Sequence, residues 1–153
     1  MKNLFSIASL RILACTSLLL GCSAVVPMAS TTQDAGTRAV RVAQDKSAIY
    51  VIRIAAYSSE LHFATVDKEE RVALAARTYA VFTVNPGEHT VTFDSAVNRE
   101  KLRLNTEPGK VYFIEMGSAW AGGVGHTKVD PRLVNASEGK VLLNRVKLVS
   151  SGE

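Results

Sequence analysis

The chain reads as a mainly β protein: a single antiparallel β-sandwich of about seven strands with a short C-terminal helix. Three observations predict this class. Between Lys46 and Met116, apolar residues come in short runs that alternate with a period of two. Pro-Gly turns, Asn85-Pro86-Gly87-Glu88 and Glu107-Pro108-Gly109-Lys110, punctuate the runs at hairpin spacing. Near the end, Asn135-Ala136-Ser137-Glu138 has the form of a capping box, with Leu142, Leu143 and Val146 following at helical spacing.

The strands follow in order. Ala48 to Ile54 is apolar on both alternating faces, which suits a central strand covered on both sides. Leu61 to Val66 is a second strand and Arg71 to Ala75 a short third, with Asp67-Lys68-Glu69-Glu70 as their turn. Tyr79 to Val84 is again apolar on both faces. His89 to Asp94 alternates, Val91 and Phe93 inward and Thr90 and Thr92 outward, and Leu102 and Leu104 alternate with Lys101 and Arg103. Val111 to Met116 places Tyr112, Ile114 and Met116 on one face and Val111, Phe113 and Glu115 on the other. Seven short strands with such turns argue for a sandwich. The closing helix falls near 136–146, weakened by Gly139, which costs about 1 kcal/mol within a helix.

Ahead of this domain the composition differs. Lys2 and Arg11 give a positive start, Ile12 to Leu20 is a short apolar stretch, and Gly21 is the small residue before Cys22. The apolar run is too short for a transmembrane helix, which needs about 20 residues. Leu19-Leu20-Gly21-Cys22 resembles the lipobox of bacterial lipoproteins. The resemblance implies cleavage between Gly21 and Cys22 and acylation of the Cys22 sulfur and amine. Ile12-Leu13-Ala14-Cys15 is a poorer match, because Arg11 would sit inside its hydrophobic zone. Residues 1–21 are then a signal peptide, and 22–45, rich in Ala, Ser, Thr and Gln, a lipidated N-terminus and flexible tether. Thr37 to Val42 could instead add an edge strand. Residues 46–149 form the β-sandwich domain. Ser23, a residue other than Asp after the cysteine, implies the outer membrane in a double-membraned host, so the expected location is its inner leaflet, facing the periplasm.

Charge and cysteine content narrow the function. The chain has 18 Lys and Arg against 14 Asp and Glu in 153 residues. Cleavage before Cys22 removes Lys2 and Arg11 and no acid, leaving 132 residues with 16 basic and 14 acidic. That balance, with no dense Lys/Arg block, argues against nucleic acid as a partner. Cys15 leaves with the signal and Cys22 carries lipid, so the expected mature domain has no disulfide, thiolate metal site or cysteine nucleophile.

The domain from Lys46 to Val149 resembles the bacterial lipoprotein family labelled domain of unknown function 2846. The likeness rests on Ala48-Ile49-Tyr50-Val51-Ile52-Arg53, on Val72-Ala73-Leu74 with Tyr79, and on Val84-Asn85-Pro86-Gly87-Glu88-His89-Thr90-Val91. It continues in Pro108-Gly109-Lys110-Val111-Tyr112-Phe113. The Pro-Gly-x-His turn is also similar to that of PEGA-type sandwich modules. Relatives usually carry a Gly-containing hairpin where this chain has Asp67-Lys68-Glu69-Glu70, and the stretch 117–126 falls outside the shared pattern. The resemblance implies a fold and an envelope location and brings no catalytic residues with it.

Candidate chemistry is sparse. His62, His89 and His126 are at no metal-ligand spacing, so no metal or other cofactor is expected; a zinc site would need them to converge with a carboxylate such as Asp94 or Asp130. There is no Gly-x-Ser-x-Gly elbow and no Gly-rich phosphate loop before a helix. The Gly-rich loop 117–127 alone has binding character. Trp120 there is either an exposed aromatic anchor for a protein or glycan, or a residue folded back over the core, and its area favours the second. The expected function is a lipid-anchored, non-catalytic interaction or accessory module of the cell envelope, with Trp120, Gly122, Gly123 and His126 as the partner surface. The alternatives are a structural subunit of a multi-protein envelope complex and a hydrolase acting on envelope polymers.

Overall fold

The computed structural model describes residues 25–56, 58–69, 71–122 and 126–150. Residues 1–21, expected from the sequence to be a signal peptide, Cys22 and Gly123 lie outside them.

Chain order is α1 (Thr31–Arg38), β1 (Ser47–Arg53), β2 (His62–Val66), β3 (Val72–Leu74), β4 (Thr78–Val84), β5 (Gly87–Asp94), β6 (Arg99–Thr106), β7 (Val111–Trp120), β8 (Thr127–Val134), α2 (Ala136–Leu143) and β9 (Lys147–Leu148). One sheet has the order β8-β7-β1-β4-β9 and the other β3-β2-β5-β6. The fold is therefore mainly β and built of two sheets, with a short helix close to its C-terminal end. All seven strands expected from alternation are present.

The five-stranded sheet is mixed rather than wholly antiparallel. β1 runs parallel to β7, and β4 parallel to β9. β1 is buried along its full length. Its Ile49 and Val51 enter the core between the sheets with Val66, Phe93 and Ile114. On the other face, Ala48, Tyr50 and Ile52 meet Phe113, Leu142, Leu143 and Val146. The molecule thus has three layers, helices over one sheet over another, and this explains why β1 and β4 are apolar on both faces. Gly87 and Gly109 take positive φ at the two Pro-Gly turns, 142° and 70°. The turn after β2 contains no glycine; Asp67 adopts φ 52° there and accepts the Thr90 N–H at 2.8 Å.

The N-terminal segment corrects the tether expectation. From Val26, 5% exposed, the chain packs on the domain: Met28 bridges Val149, and the Ala29 N–H donates to the Leu148 carbonyl at 3.1 Å. α1 has a complete capping box between Ser30 and Gln33. An eight-residue helix is marginal alone, so docking must hold it. Asp34 supplies the dock. Its carboxylate accepts the Tyr79 hydroxyl at 2.7 Å, the Leu148 N–H at 3.2 Å and the Arg38 Nε at 3.0 Å. Arg38 also donates to the carbonyls of Leu143 and Val146 at the end of α2. Burial pushes the Asp34 carboxyl up, but the bonds from Tyr79, Arg38 and Leu148 outweigh it and hold the pKa below the usual range. Thr37–Val42 adds no strand.

At the C-terminal side, the Asn135 side chain caps α2 by accepting the Glu138 N–H at 2.9 Å, while the Glu138 carboxylate turns to Arg132. α2 ends at Leu143, earlier than the pattern implied, because Asn144 and the Arg145–Val146 turn lead into β9.

Candidate functional site

β7 runs on past Met116 to Trp120, and β8 returns antiparallel from Thr127, so Trp120, Ala121, Gly122 and His126 stand at the end of a hairpin. The pairing Gly117↔Asp130 through Trp120↔Thr127 continues to the tip, where the Ala121 N–H donates to the His126 carbonyl at 3.2 Å. Gly117 is forced by this approach: a Cβ there would sit 2.6 Å from the Asp130 carbonyl oxygen. Gly122 has φ 74°.

Trp120 is 61% exposed. The expectation that it folds back over the core is overturned. The inter-sheet core is already filled by Val66, Leu74, Phe93, Ile114 and Met116, and the strand pleat carries Trp120 beyond them. His126 is exposed beside it, with Nδ1 3.6 Å from Glu60 Oε1.

Beneath the tip lies a polar cluster that the sequence pattern did not reveal. The Glu60 carboxylate accepts the backbone N–H of Thr127 at 3.0 Å, the Thr127 hydroxyl at 3.1 Å and the Ala96 N–H at 3.2 Å. Burial raises its pKa, and these bonds more than reverse that, leaving a carboxylate below its ordinary range. His62 is fully buried, with Nε2 2.8 Å from Thr127 Oγ1 and Nδ1 3.5 Å from Ser118 Oγ. Burial first, and then the Arg53 guanidinium, lower its pKa to about 4. The imidazole is therefore neutral near pH 7. Since the Thr127 hydroxyl donates to Glu60, Nε2–H donates to Thr127, and Nδ1 faces Ser118 as an acceptor.

This relay contains a serine, a histidine and a carboxylate, but its chemistry favours anchorage. A buried base near pKa 4 is far below the value that suits proton abstraction at neutral pH. Arg53, 1% exposed, gives one terminal nitrogen to the carbonyls of Glu60 and Leu74 at 2.7 and 2.6 Å. The cluster ties the segment before β2, the start of β2 and the tip end of the β7–β8 hairpin together, so the strand end carrying Trp120 is pinned through its partner Thr127.

The other candidates sit apart. His89 lies between Asp67 Oδ2 and the Asn85 carbonyl, each 2.7 Å from a ring nitrogen. Asp94 pairs with Arg99. Asp130 sits on β8 opposite Gly117. His62 and His126 do approach one carboxylate, Glu60, rather than Asp94 or Asp130. Among the described residues no three His, Cys, Asp or Glu side chains are arranged to hold a metal ion.

Two comparisons relate the chain to known sequences. A protein of Haemophilus influenzae, described as an uncharacterized protein, is 28% identical to this chain over 155 residues, covering 98% of this chain and 88% of its own. A family model described as "Protein of unknown function (DUF2846)" matches residues 43–125, from just before β1 to past the end of β7. That match spans more than half of the chain, and the protein belongs to the DUF2846 family.

Proposed function

We propose that this protein is a lipid-anchored lipoprotein of the bacterial cell envelope that acts as a non-catalytic interaction or accessory module facing the periplasm. The observation that carries the reading is Leu19-Leu20-Gly21-Cys22 closing a short apolar run behind Lys2 and Arg11. No described helix is long and apolar enough to cross a membrane. The partner surface is the hairpin tip, with Trp120, Gly122, Gly123 and His126. Trp120 supports it, as a rigid exposed aromatic set on a hydrogen-bonded base, the kind of side chain that dominates binding interfaces. The proposed ligand class is an envelope protein or glycan.

Crosslinking in cells tests the surface. The wild type is expected to give discrete adducts that a Trp120→Ala, His126→Ala variant loses. An unchanged adduct pattern would refute this surface.

A further inference from the structure

The docked N-terminal segment has a geometric consequence. Because the chain is part of the fold from Val26, only Ser23 and Ala24 separate Cys22 from Val25. Three residue steps reach about 10 Å at most. A lipid on Cys22 would therefore hold the Val25 end of the domain at the headgroups, rather than let the domain float on a long tether.

That end has a distinctive surface. Residues 25–28, 75–78 and 144–147 enclose an open groove of about 690 Å³. Its lips are apolar and exposed, Val25 at 82% and Met28 at 43%. Arg77, Arg145 and Lys147 line it, all exposed, and none has an ion pair among the described residues. The groove's one carboxylate, Asp34, is already engaged by Arg38 and Tyr79. Three cations with no ion pair among the described residues and two exposed apolar side chains thus surround the end at Val25. They come from the β3–β4 turn and from the stretch after α2, far apart in sequence.

We propose that this groove seats the phosphate headgroups of anionic phospholipids, so that the bilayer fixes the domain in one orientation. The orientation rests on the anchor reading; the headgroup binding does not. Phosphates match the guanidinium and ammonium donors, and Val25 and Met28 fit the interfacial layer beneath. Each basic side chain near an anionic surface contributes about fivefold to partitioning, so reversing three removes about a hundredfold or more.

The test uses protein purified from cells, in vesicles of phosphatidylcholine or of equimolar phosphatidylcholine and phosphatidylglycerol. A lipid-quenched fluorophore is placed at Asn144→Cys in the groove, or at Glu107→Cys beside the opposite end of β1. The proposal predicts quenching at position 144, not 107, that is much stronger with phosphatidylglycerol than with phosphatidylcholine alone, and loss of that phosphatidylglycerol-dependent increase in the Arg77→Glu, Arg145→Glu, Lys147→Glu variant. Equal quenching at both positions, or quenching indifferent to the charge reversal, overturns it. Labelling of protein without an added cysteine would report a free thiol and sink the anchor reading instead. In that case sedimentation with the same vesicles decides: salt-sensitive capture by phosphatidylglycerol supports the groove, and no capture overturns it.

Discussion

Asp34 and Tyr79 are 45 residues apart and meet through a 2.7 Å hydrogen bond, the hydroxyl donating to the carboxylate. The bond joins α1 to the outer face of the five-stranded sheet, where Tyr79 stacks on Tyr50 at 6.1 Å and lies under the Arg38 guanidinium. Burial first, and then the Asp34 carboxylate, push the Tyr79 hydroxyl pKa well above its ordinary value. It donates throughout the physiological range.

Breaking this bond should free α1 before it unfolds the sheets. Tyr79→Phe leaves a partly buried carboxylate short of one donor and is expected to cost about 1–3 kcal/mol. Limited trypsin digestion reads the location of the loss: cleavage after Arg38 and Arg41 should speed up more than cleavage in β1–β8. Uniform acceleration at all sites would mean that α1 is no separate unit.

Two helical glycines should respond in opposite directions. At Gly139 a Cβ would lie 2.2 Å from Phe113 Cγ, because α2 rests directly on β7. Gly139→Ala is expected to destabilise by about 1–3 kcal/mol through overpacking. At Gly36 nothing lies within 4 Å of a Cβ, so Gly36→Ala should stabilise by about 0.5–1 kcal/mol. Chemical denaturation of both variants checks the pair of signs.

Acid should weaken the fold through His62. Its native pKa, about 4, is depressed, whereas the unfolded ring titrates near 6.5. Between those values the unfolded chain binds the extra proton, so stability falls as pH drops from about 6.5 to 4. The loss is on the order of 3 kcal/mol at about 1.4 kcal/mol per unit. Denaturation at pH 7, 5.5 and 4.5 measures it, and NMR titration of the His62 ring in the wild type reads the same pKa directly. A ring that protonates near 6.5 contradicts the buried relay.

His89 runs the other way. Burial lowers its pKa, but the Asp67 carboxylate and the Asn85 carbonyl outweigh that and leave it raised. Its contribution is complete below about 6.5 and fades as pH rises through the native value. Asp67 is nearly half exposed, so screening keeps the effect below about 1 kcal/mol. Asp67→Asn should bring the His89 titration, followed by NMR, back down; an unmoved titration would show that Asp67 does not hold the ring.

The strands were legible in the residues because a two-sided apolar run such as Ala48–Ile54 and a Pro-Gly turn such as Asn85–Glu88 are local signals. β8 was not, since Pro131 and the charged Lys128, Asp130 and Arg132 hide a strand at the sheet edge. α1 has a local signal in the capping-box form of Ser30-Thr31-Thr32-Gln33, but its polar composition hides a helix held by one carboxylate. The position of Trp120 is not legible from composition, because its size argues for burial while the β7–β8 register decides where it sits. The Glu60–His62–Thr127 cluster depends on a hairpin bending back to β2, which no spacing shows. The groove cations, likewise, stand too far apart in the chain to form a recognisable block.

The central claim is that Cys22 carries the lipid that places this domain at a membrane. Mass spectrometry of the N-terminal peptide from protein made in its bacterial host tests it most directly. The account predicts a peptide beginning at Cys22, heavier by a diacylglyceryl group and an amide-linked acyl chain. A peptide with an unmodified Cys22 thiol, from protein recovered without membranes, would contradict it.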